Sequence, residues 1–107
     1  MHIEVIEPEG YLNSTNVNNF RQQARNVLEN KPDVILIDMK YLKQMDSSGL
    51  GALLFVLRSA SAIECKLALC SINEYVGFLI EATSMKDLFK IFKNRNQFES
   101  SLEKVKF

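Results

Sequence analysis

Val34-Ile-Leu-Ile-Asp-Met39 opens the stretch that decides the fold; the connector Lys40–Met45 and then Asp46-Ser-Ser-Gly-Leu-Gly-Ala-Leu-Leu54 complete it. An apolar run of this length with β-branched residues is typical of a strand that is covered on both faces, as in a parallel sheet with helices on either side. We therefore predict that Val34–Met39 is the central strand of the sheet.

A helix is predicted to begin near Ser48. Asp46, Ser47 and Ser48 can each cap it, and apolar residues then recur at helical spacing, at Leu50, Leu53, Leu54 and Leu57. Free backbone N–H groups and the positive end of the helix dipole favour an anion at such a start, so a phosphate on Ser47 would fit without rebuilding the fold. In the alternative reading, Asp46 or Ser47 is only a helix cap, and the two glycines that follow only allow tight packing.

The stretch Asp46-Ser-Ser-Gly-Leu-Gly51, placed after an apolar strand, resembles the STAS domain family, and within it the small anti-sigma-factor antagonists of bacterial partner-switching systems. Gly10-Tyr-Leu-Asn13 and Thr83-Ser-Met85 support the resemblance, which covers nearly the whole of residues 1–107. In this family the serine directly after the aspartate is phosphorylated. The resemblance therefore implies Ser47 as the phosphorylation site.

The resemblance also implies a function in bacterial signal transduction and transcription regulation. The unphosphorylated chain would bind a serine-protein kinase that acts as an anti-sigma factor, phosphorylation of Ser47 would release it, and a metal-dependent serine phosphatase would reverse the step. The partners would perform the chemistry, so the chain itself is not expected to be an enzyme. The residues expected to contact a partner, besides Ser47, are Asn13, Ser14, Asp46, Ser48, Gly49, Leu50, Ala52, Phe55, Val56 and Ser59. Of the two serines, we expect Ser47 to accept phosphate and Ser48 to cap the helix.

Three differences from the family affect these expectations. Asn13 stands where aspartate is common, which removes a negative charge from the loop expected near Ser47. Ser84 stands where glycine is common. Many members carry a strand before the segment that corresponds to His2–Glu7, so we expect one sheet edge here to be covered differently, with unpaired backbone groups available to another chain.

The helix after Asp46 is apolar nearly all round. Its predicted buried stripe is Leu50, Leu53, Leu54 and Leu57; the opposite side carries Ala52, Phe55, Val56, Ser59, Ala62 and Ile63. A helix of this kind is either buried on two sides or covered by another molecule. We predict a partner surface, and the alternative is burial under the C-terminal helix.

Strands and helices alternate along the rest of the chain. Strands are predicted at His2–Glu7, Lys66–Ile72 and Leu88–Phe92. One helix follows the capping residues Asn13–Asn16 and ends at Asn30, a second begins after Asn73, and a last one has Asn96 and Glu99 as a capping pair with a stripe of Phe98, Leu102 and Val105. The fold class is therefore α/β: a single STAS-like domain with a small mixed, mostly parallel sheet of four or five strands and about four helices.

Composition favours a protein partner. With 13 basic and 13 acidic residues the net charge is zero, which gives no support for a nucleic-acid or membrane partner. Cys65 and Cys70 are predicted to be buried thiols and not metal ligands. No signal peptide or membrane-spanning run is recognised, so a cytoplasmic location is expected.

Enzymatic readings find little support. Gly49-Leu-Gly51 lacks the third glycine of a dinucleotide site, no phosphate-binding loop is present, and we expect no cofactor, metal or nucleotide. A serine nucleophile would need a base, and the single histidine is the terminal His2. Asp38 and Asp46 could form a carboxylate pair, but a buried Asp38 is expected to accept hydrogen bonds instead.

Two other functions are retained. One is a STAS binding subunit without phosphorylation, such as an accessory of a lipid-transport ATPase. The other is a homodimer formed through the apolar helix face and the open sheet edge.

Overall fold

The computed structural model describes residues 1–103. In chain order the elements are β1 (Ile3–Ile6), β2 (Gly10–Leu12), α1 (Val17–Glu29), β3 (Val34–Asp38), β4 (Leu42–Met45), α2 (Ser47–Ala62), β5 (Lys66–Cys70), α3 (Glu74–Ala82), a 3-10 turn (Lys86–Leu88), β6 (Lys90–Phe92) and α4 (Arg95–Glu103). The predicted α/β class, with four helices and a small parallel sheet, is confirmed. None of the described helices is long and apolar enough to cross a lipid bilayer.

Four strands form the main sheet in the order β1-β3-β5-β6, and each neighbouring pair is parallel. All five residues of β3 are buried, and the strand lies between β1 and β5 with Val34 opposite Ile3 on one side and Lys66 on the other. The prediction of a central strand is confirmed. Its physical basis is that a parallel strand with helices on both faces is shielded from water on both sides, so apolar side chains predominate in it; in β3 the one exception is Asp38.

A second sheet pairs β2 with β4 in parallel, and the sequence analysis missed it. Lys40–Met45 was predicted to be a connector, yet its last four residues, Leu42–Met45, form a strand. Only Leu42 and Met45 in β4 are buried, while the two polar residues between them are exposed. Segments of three and four residues with so few apolar positions carry no readable alternation.

The two faces of the main sheet are covered unequally. Side chains of β3 and β5 alternate between the faces: Ile35, Ile37, Leu67 and Leu69 join one buried cluster with residues of α1, α2 and α3. Val34, Leu36, Ala68 and Cys70 join a smaller cluster with Phe92 and Phe98. One face thus carries three helices, and α4 covers the other.

This arrangement corrects the alternative of burial under the C-terminal helix. Helix α2 packs against α1, β4 and β5, whereas Phe98 and Leu102 of α4 lie on the opposite face of the sheet. The predicted Phe98 and Leu102 stripe is confirmed; Val105 lies outside the described residues. Both cysteines are free and buried, as predicted.

Asparagine side chains cap the starts of α3 and α4. Asn73 caps α3 by accepting a hydrogen bond from the backbone N–H of Val76 at 2.8 Å, as predicted. The capping pair of α4 lies two residues earlier than predicted. Asn94 accepts from the N–H of Gln97 at 2.8 Å, and the Gln97 side chain accepts from the N–H of Lys93 at 2.6 Å. The pairs Asn94/Gln97 and Asn96/Glu99 both have the spacing of a capping box, so the sequence alone did not show which pair caps α4.

After α3 the chain turns through Ser84, whose φ of +59° lies in the left-handed region. Glycine adopts this conformation without steric cost. This left-handed conformation explains why glycine is common at this position in the family that the sequence resembles.

The predicted strand Leu88–Phe92 is shorter in the structure and begins only at Lys90, because Lys86–Leu88 forms a 3-10 turn before β6.

Candidate functional site

Asp46 is the cap of α2. Its backbone is extended, and its Oδ1 accepts hydrogen bonds from the N–H groups of Ser48 at 2.9 Å and Gly49 at 3.3 Å. A carboxylate at this position satisfies two otherwise unpaired donors and interacts favourably with the helix dipole. The expectation that Ser48 caps the helix is therefore wrong, because Ser48 already lies inside the first turn.

Ser47 is the first residue of α2 and is exposed. Within the described residues its hydroxyl has no hydrogen-bond partner, since Asp46 performs the capping. A hydroxyl that is exposed and not engaged in the fold is accessible to an incoming phosphoryl group.

The loop before Ser47 is fixed on the end of β2. The N–H of Asp46 donates to the carbonyl of Leu12 at 3.3 Å. Gly49 packs so closely on the same segment that an added Cβ would lie 2.5 Å from the Leu12 carbonyl oxygen and 3.0 Å from Met45 Cγ. Backbone approach of this kind requires glycine. The reading of Gly49 as a packing residue is confirmed, and Ser47 is presented by a rigid support.

Asn13 follows β2 and lies near the same loop. Its side chain accepts from the N–H of Thr15 at 2.9 Å, and its carbonyl accepts from the N–H groups of Asn16 and Val17. A shallow cleft of about 120 Å³ lies between the two loops, and it is lined by Tyr11, Leu12, Asn13, Gln44, Met45 and Asp46. The structure thus places Asn13 beside Asp46, with the exposed Ser14 next in the chain.

Four residues expected to contact a partner are instead buried in the core. Ala52 and Val56 have no exposed surface, Leu50 is 4% exposed, and Gly49 is covered by β2. Such residues cannot touch a partner while the fold is intact, and this expectation is corrected. The reason is that α2 is enclosed between α1 and the sheet, so its buried arc is wider than one stripe. Of the predicted stripe, Leu50 and Leu53 are buried and Leu54 and Leu57 only half-buried.

Phe55 and Ser59 remain half-buried at the surface of α2. The Phe55 ring is covered by α1: the guanidinium carbon of Arg25 lies 5.0 Å from the ring centroid and that of Arg21 lies 5.8 Å from it. This is cation–π geometry. The surface at Phe55 is therefore basic, where the sequence analysis expected an apolar one.

Gly51 is a surface residue, although one of the two interpretations in the sequence analysis made it a packing glycine. It is exposed, and an added Cβ would meet no described atom within 4 Å. Glycine inside a helix costs about 1 kcal/mol relative to alanine. Packing does not require glycine at this position, which lies one turn after Ser47. The lower helix propensity of Gly51 therefore reduces stability without allowing a closer contact.

Helix α3 exposes two aromatic side chains that the sequence analysis did not single out. Tyr75 is 66% and Phe78 74% exposed. With Glu74 and Leu79 they line a cleft of about 440 Å³ that reaches Met45, the residue before Asp46. Their position outside the buried Val76 and Ile80 stripe was the signal that could have found them.

Asp38 is fully buried at the end of β3. Its Oδ1 accepts from the N–H of Lys40 at 3.1 Å, and its Oδ2 forms ion pairs with Arg95 at 3.1 Å and Lys40 at 3.5 Å. Arg95 also contacts Glu7 at 3.2 Å. The Asp38 carboxylate is the main cause of a raised pKa of Lys40, and burial raises the pKa of the neighbouring Cys70 thiol. Asp38 accepts a backbone hydrogen bond as expected, and it anchors α4 on the sheet.

Within the part of the chain that the structure describes, neither His2 nor a free carboxylate is placed to activate Ser47. His2 contacts Glu4 at 2.7 Å through its ring, and its backbone N–H donates to Asp33, which places it at the beginning of β1 and β3. Asp46 is engaged as the helix cap. Among residues 1–103, no group of three His, Cys, Asp or Glu side chains is placed to hold a metal ion.

The family model described as the STAS domain matches residues 2–98. A Thermotoga maritima protein described as an anti-sigma factor antagonist is 25% identical, with a TM-score of 0.82 over 96% of this chain and 86% of that one.

Three further solved structures share the fold. The anti-sigma factor antagonist SpoIIAA is similar in its unphosphorylated form, with 20% identity and a TM-score of 0.77 over 97% of this chain and 88% of that one. The phosphorylated form from Bacillus has 19% identity and a TM-score of 0.68 over 98% of this chain and 92% of that one. A sulfate transporter family protein from Wolinella succinogenes has 16% identity and a TM-score of 0.75 over 89% and 80%.

Proposed function

The chain belongs to the STAS domain family, and from this premise we propose that it is an anti-sigma factor antagonist controlled by phosphorylation of Ser47. Unphosphorylated, it binds a serine-protein kinase that is also an anti-sigma factor; phosphorylation of Ser47 releases it, and a metal-dependent serine phosphatase restores binding. The chain is a binding protein and its partners perform the catalysis.

The observation that carries this proposal is that Asp46, and not Ser47, caps α2. Asp46 holds the first turn of α2 through two hydrogen bonds, and the exposed Ser47 hydroxyl makes no hydrogen bond to any residue that the structure describes. Modification of Ser47 therefore changes the surface and leaves the helix start in place.

Electrostatics supports release on phosphorylation. A phosphate adds about 1.5 to 2 negative charges at neutral pH. The sequence analysis expected free N–H groups for the phosphate, but the Asp46 carboxylate already accepts from those of Ser48 and Gly49. The phosphate would therefore stand beside a second negative group without these two donors. Pressed against a partner, an uncompensated charge costs several kcal/mol, and about 1.4 kcal/mol is a factor of ten in affinity.

Gly51 adds support from the docking surface. Partner contacts are expected at Ser47, Ser48, Asp46, Asn13, Ser14, Phe55 and Ser59. A helical glycine that packing does not require leaves a flat area one turn from Ser47, where a partner can approach the backbone of α2.

Relatives provide the last support. The Thermotoga maritima protein and SpoIIAA are both described as anti-sigma factor antagonists, and SpoIIAA occurs in phosphorylated and unphosphorylated forms. These names belong to those proteins, and they make the same regulation the first to test here.

The test is intact-mass analysis of the protein isolated from its native cells, before and after treatment with a serine/threonine phosphatase. We expect one phosphate that the phosphatase removes and that peptide mapping places on Ser47. Ser47→Ala should lose the phosphate, and the matched variant Ser48→Ala should keep it. Stoichiometric phosphate on the Ser47→Ala chain would contradict the assignment. Absence of phosphate in every growth condition would favour the alternative, a STAS binding subunit without phosphorylation.

A further inference from the structure

Two arginines of α1 converge on one aromatic ring of α2. Arg25 lies 5.0 Å and Arg21 5.8 Å from the centroid of Phe55. Stacking on a ring restricts the guanidinium groups, so less conformational freedom is lost when they bind another group. Arg58 follows Phe55 by three positions on α2 and is exposed, on the same side of the helix. We call Arg21, Arg25 and Arg58 the arginine patch.

The arginine patch carries charge that the fold does not neutralise. Among the described residues, none of its three arginines has a carboxylate within ion-pair distance, although Arg95 pairs with both Glu7 and Asp38. Glu29, one turn after Arg25 on α1, does not form a pair with it either. In a chain with 13 basic and 13 acidic residues, two unpaired arginines over the Phe55 ring and a third on the same side of α2 are a local excess of positive charge.

The patch lies along the same exposed side of α2 as Ser47. Phe55 follows Ser47 by eight positions, which corresponds to about 12 Å along a helix, and Gly51 lies between them. A partner that covers Ser47 and runs along α2 would therefore meet the arginine patch at the other end of its contact.

We propose that the arginine patch binds an acidic segment of the protein partner that docks at Ser47, with aspartate or glutamate carboxylates placed against Arg21, Arg25 and Arg58. This inference rests on the proposed function, and it names the chemistry of the partner. Guanidinium groups bind carboxylates through paired N–H···O hydrogen bonds, so the patch fixes the orientation of the partner along α2.

Charge argues against other occupants. A second copy of the chain, packed through the same face by a twofold axis, would bring arginines against arginines, and like charges in an interface cost several kcal/mol. Nucleic acid and anionic membranes require basic surfaces beyond what a chain of zero net charge provides. A short acidic protein segment matches three cations.

The test is a titration of the isotope-labelled full chain with a short synthetic helical peptide that carries glutamate along one face, followed by amide chemical shifts. The same peptide with glutamine is the reference probe. We expect the glutamate peptide to shift resonances around Arg21, Arg25 and Phe55, and the glutamine peptide to shift none. The double variant Arg21→Gln/Arg25→Gln should weaken binding about tenfold, which is about 1.4 kcal/mol.

Two controls separate charge from folding. Lys90→Gln/Lys93→Gln removes the same charge from exposed residues at β6 and just after it, and should bind as the unchanged chain does. Arg58→Gln leaves the cover of Phe55 in place and should weaken binding about threefold, as expected for one exposed ion pair.

Several results would overturn the inference. They are equal binding of the acidic peptide by the double variant, absence of binding by the unchanged chain, tighter patch-dependent binding of duplex DNA or phosphatidylserine vesicles, or a dimer in light scattering that the double variant abolishes. Failure of the proposed function is distinguishable, because Ser47→Ala should bind the peptide normally. If Ser47 carries no phosphate in cells, the proposed regulation is wrong, and the result with the peptide is unchanged.

Discussion

The buried and exposed sides of α2 use the same residue type for opposite reasons. On the buried side, Gly49 lets the helix approach the backbone of Leu12, and an added Cβ would lie 2.5 Å from its carbonyl oxygen. On the exposed side, two positions later, Gly51 has open space around it. The first glycine is explained by the fold and the second is not. A residue that costs stability without a packing reason points to a surface used by something else.

The largest effect is expected in the core beneath the buried side. Leu53 has no exposed surface, so Leu53→Ala should destabilise the domain by about 3 kcal/mol through lost burial and the cavity left behind. Leu57, half-buried on the same helix, is the matched control, and Leu57→Ala should cost about half as much. Urea unfolding followed by circular dichroism measures both. Equal losses would mean that the buried arc of α2 is as the sequence alone suggested, with Leu57 inside it.

Gly49→Ala should have the next largest effect, a loss of about 2 kcal/mol, because overpacking forces the β2 backbone or the helix to move. Gly77→Ala in α3 is the matched control: the added Cβ would lie 3.7 Å from Ile72 Cγ2, an ordinary contact, and should leave stability unchanged or slightly raised. Unfolding midpoints in urea compare the two. A neutral Gly49→Ala would remove the contrast between the two glycines of α2.

A smaller effect is expected where the two sides meet, at the helix cap. Asp46→Ala removes the acceptor for two N–H groups and should cost about 1 kcal/mol. Ser48→Ala should change stability by only a few tenths of that amount, because Ser48 does not cap the helix. Thermal unfolding of the two variants distinguishes them, and a larger loss for Ser48→Ala would restore Ser48 as the cap.

Gly51→Ala should raise stability, by an amount no larger than the loss expected for Asp46→Ala. Alanine is favoured over glycine in a helix by about 1 kcal/mol, and at Gly51 no steric conflict offsets the gain. At the same time, the new methyl group should hinder partner approach and lower the phosphorylated fraction of Ser47 in cells. Urea unfolding and intact-mass analysis of the same preparation test both statements. A variant that is more stable and equally phosphorylated would take Gly51 out of the docking surface.

Much of the fold could be predicted from the sequence because its signals are local. The apolar run of β3 and the spacing of Val17, Phe20 and Ala24 in α1 reflect burial of particular faces, and both predictions are confirmed. Strands β2 and β4 escaped prediction because each buries few side chains, and their pairing joins segments about thirty positions apart, Gly10 with Leu42.

The site was predictable in kind and less so in detail. The motif around Asp46 indicated a helix start, but three residues could have capped it, and only the backbone geometry selects Asp46. The burial of Ala52 and Val56 depends on where α1 lies, and so does the position of Arg21 and Arg25 over Phe55. The apolar periodicity of one helix does not show where a second helix packs against it, so these features required the structure.

The single helix on the second face of the sheet has a consequence for biosynthesis. Arg95, which joins α4 to Asp38 and Glu7, is separated from Glu7 by 88 positions, so this contact cannot form until the residues between them have been synthesised. Until then, Val34, Leu36 and Ala68 have no helix above them, although the elements around Ser47 have already left the ribosome. An apolar face that stays bare during synthesis is a binding surface for chaperones. The time at which α4 is synthesised thus decides how long each new chain depends on such protection.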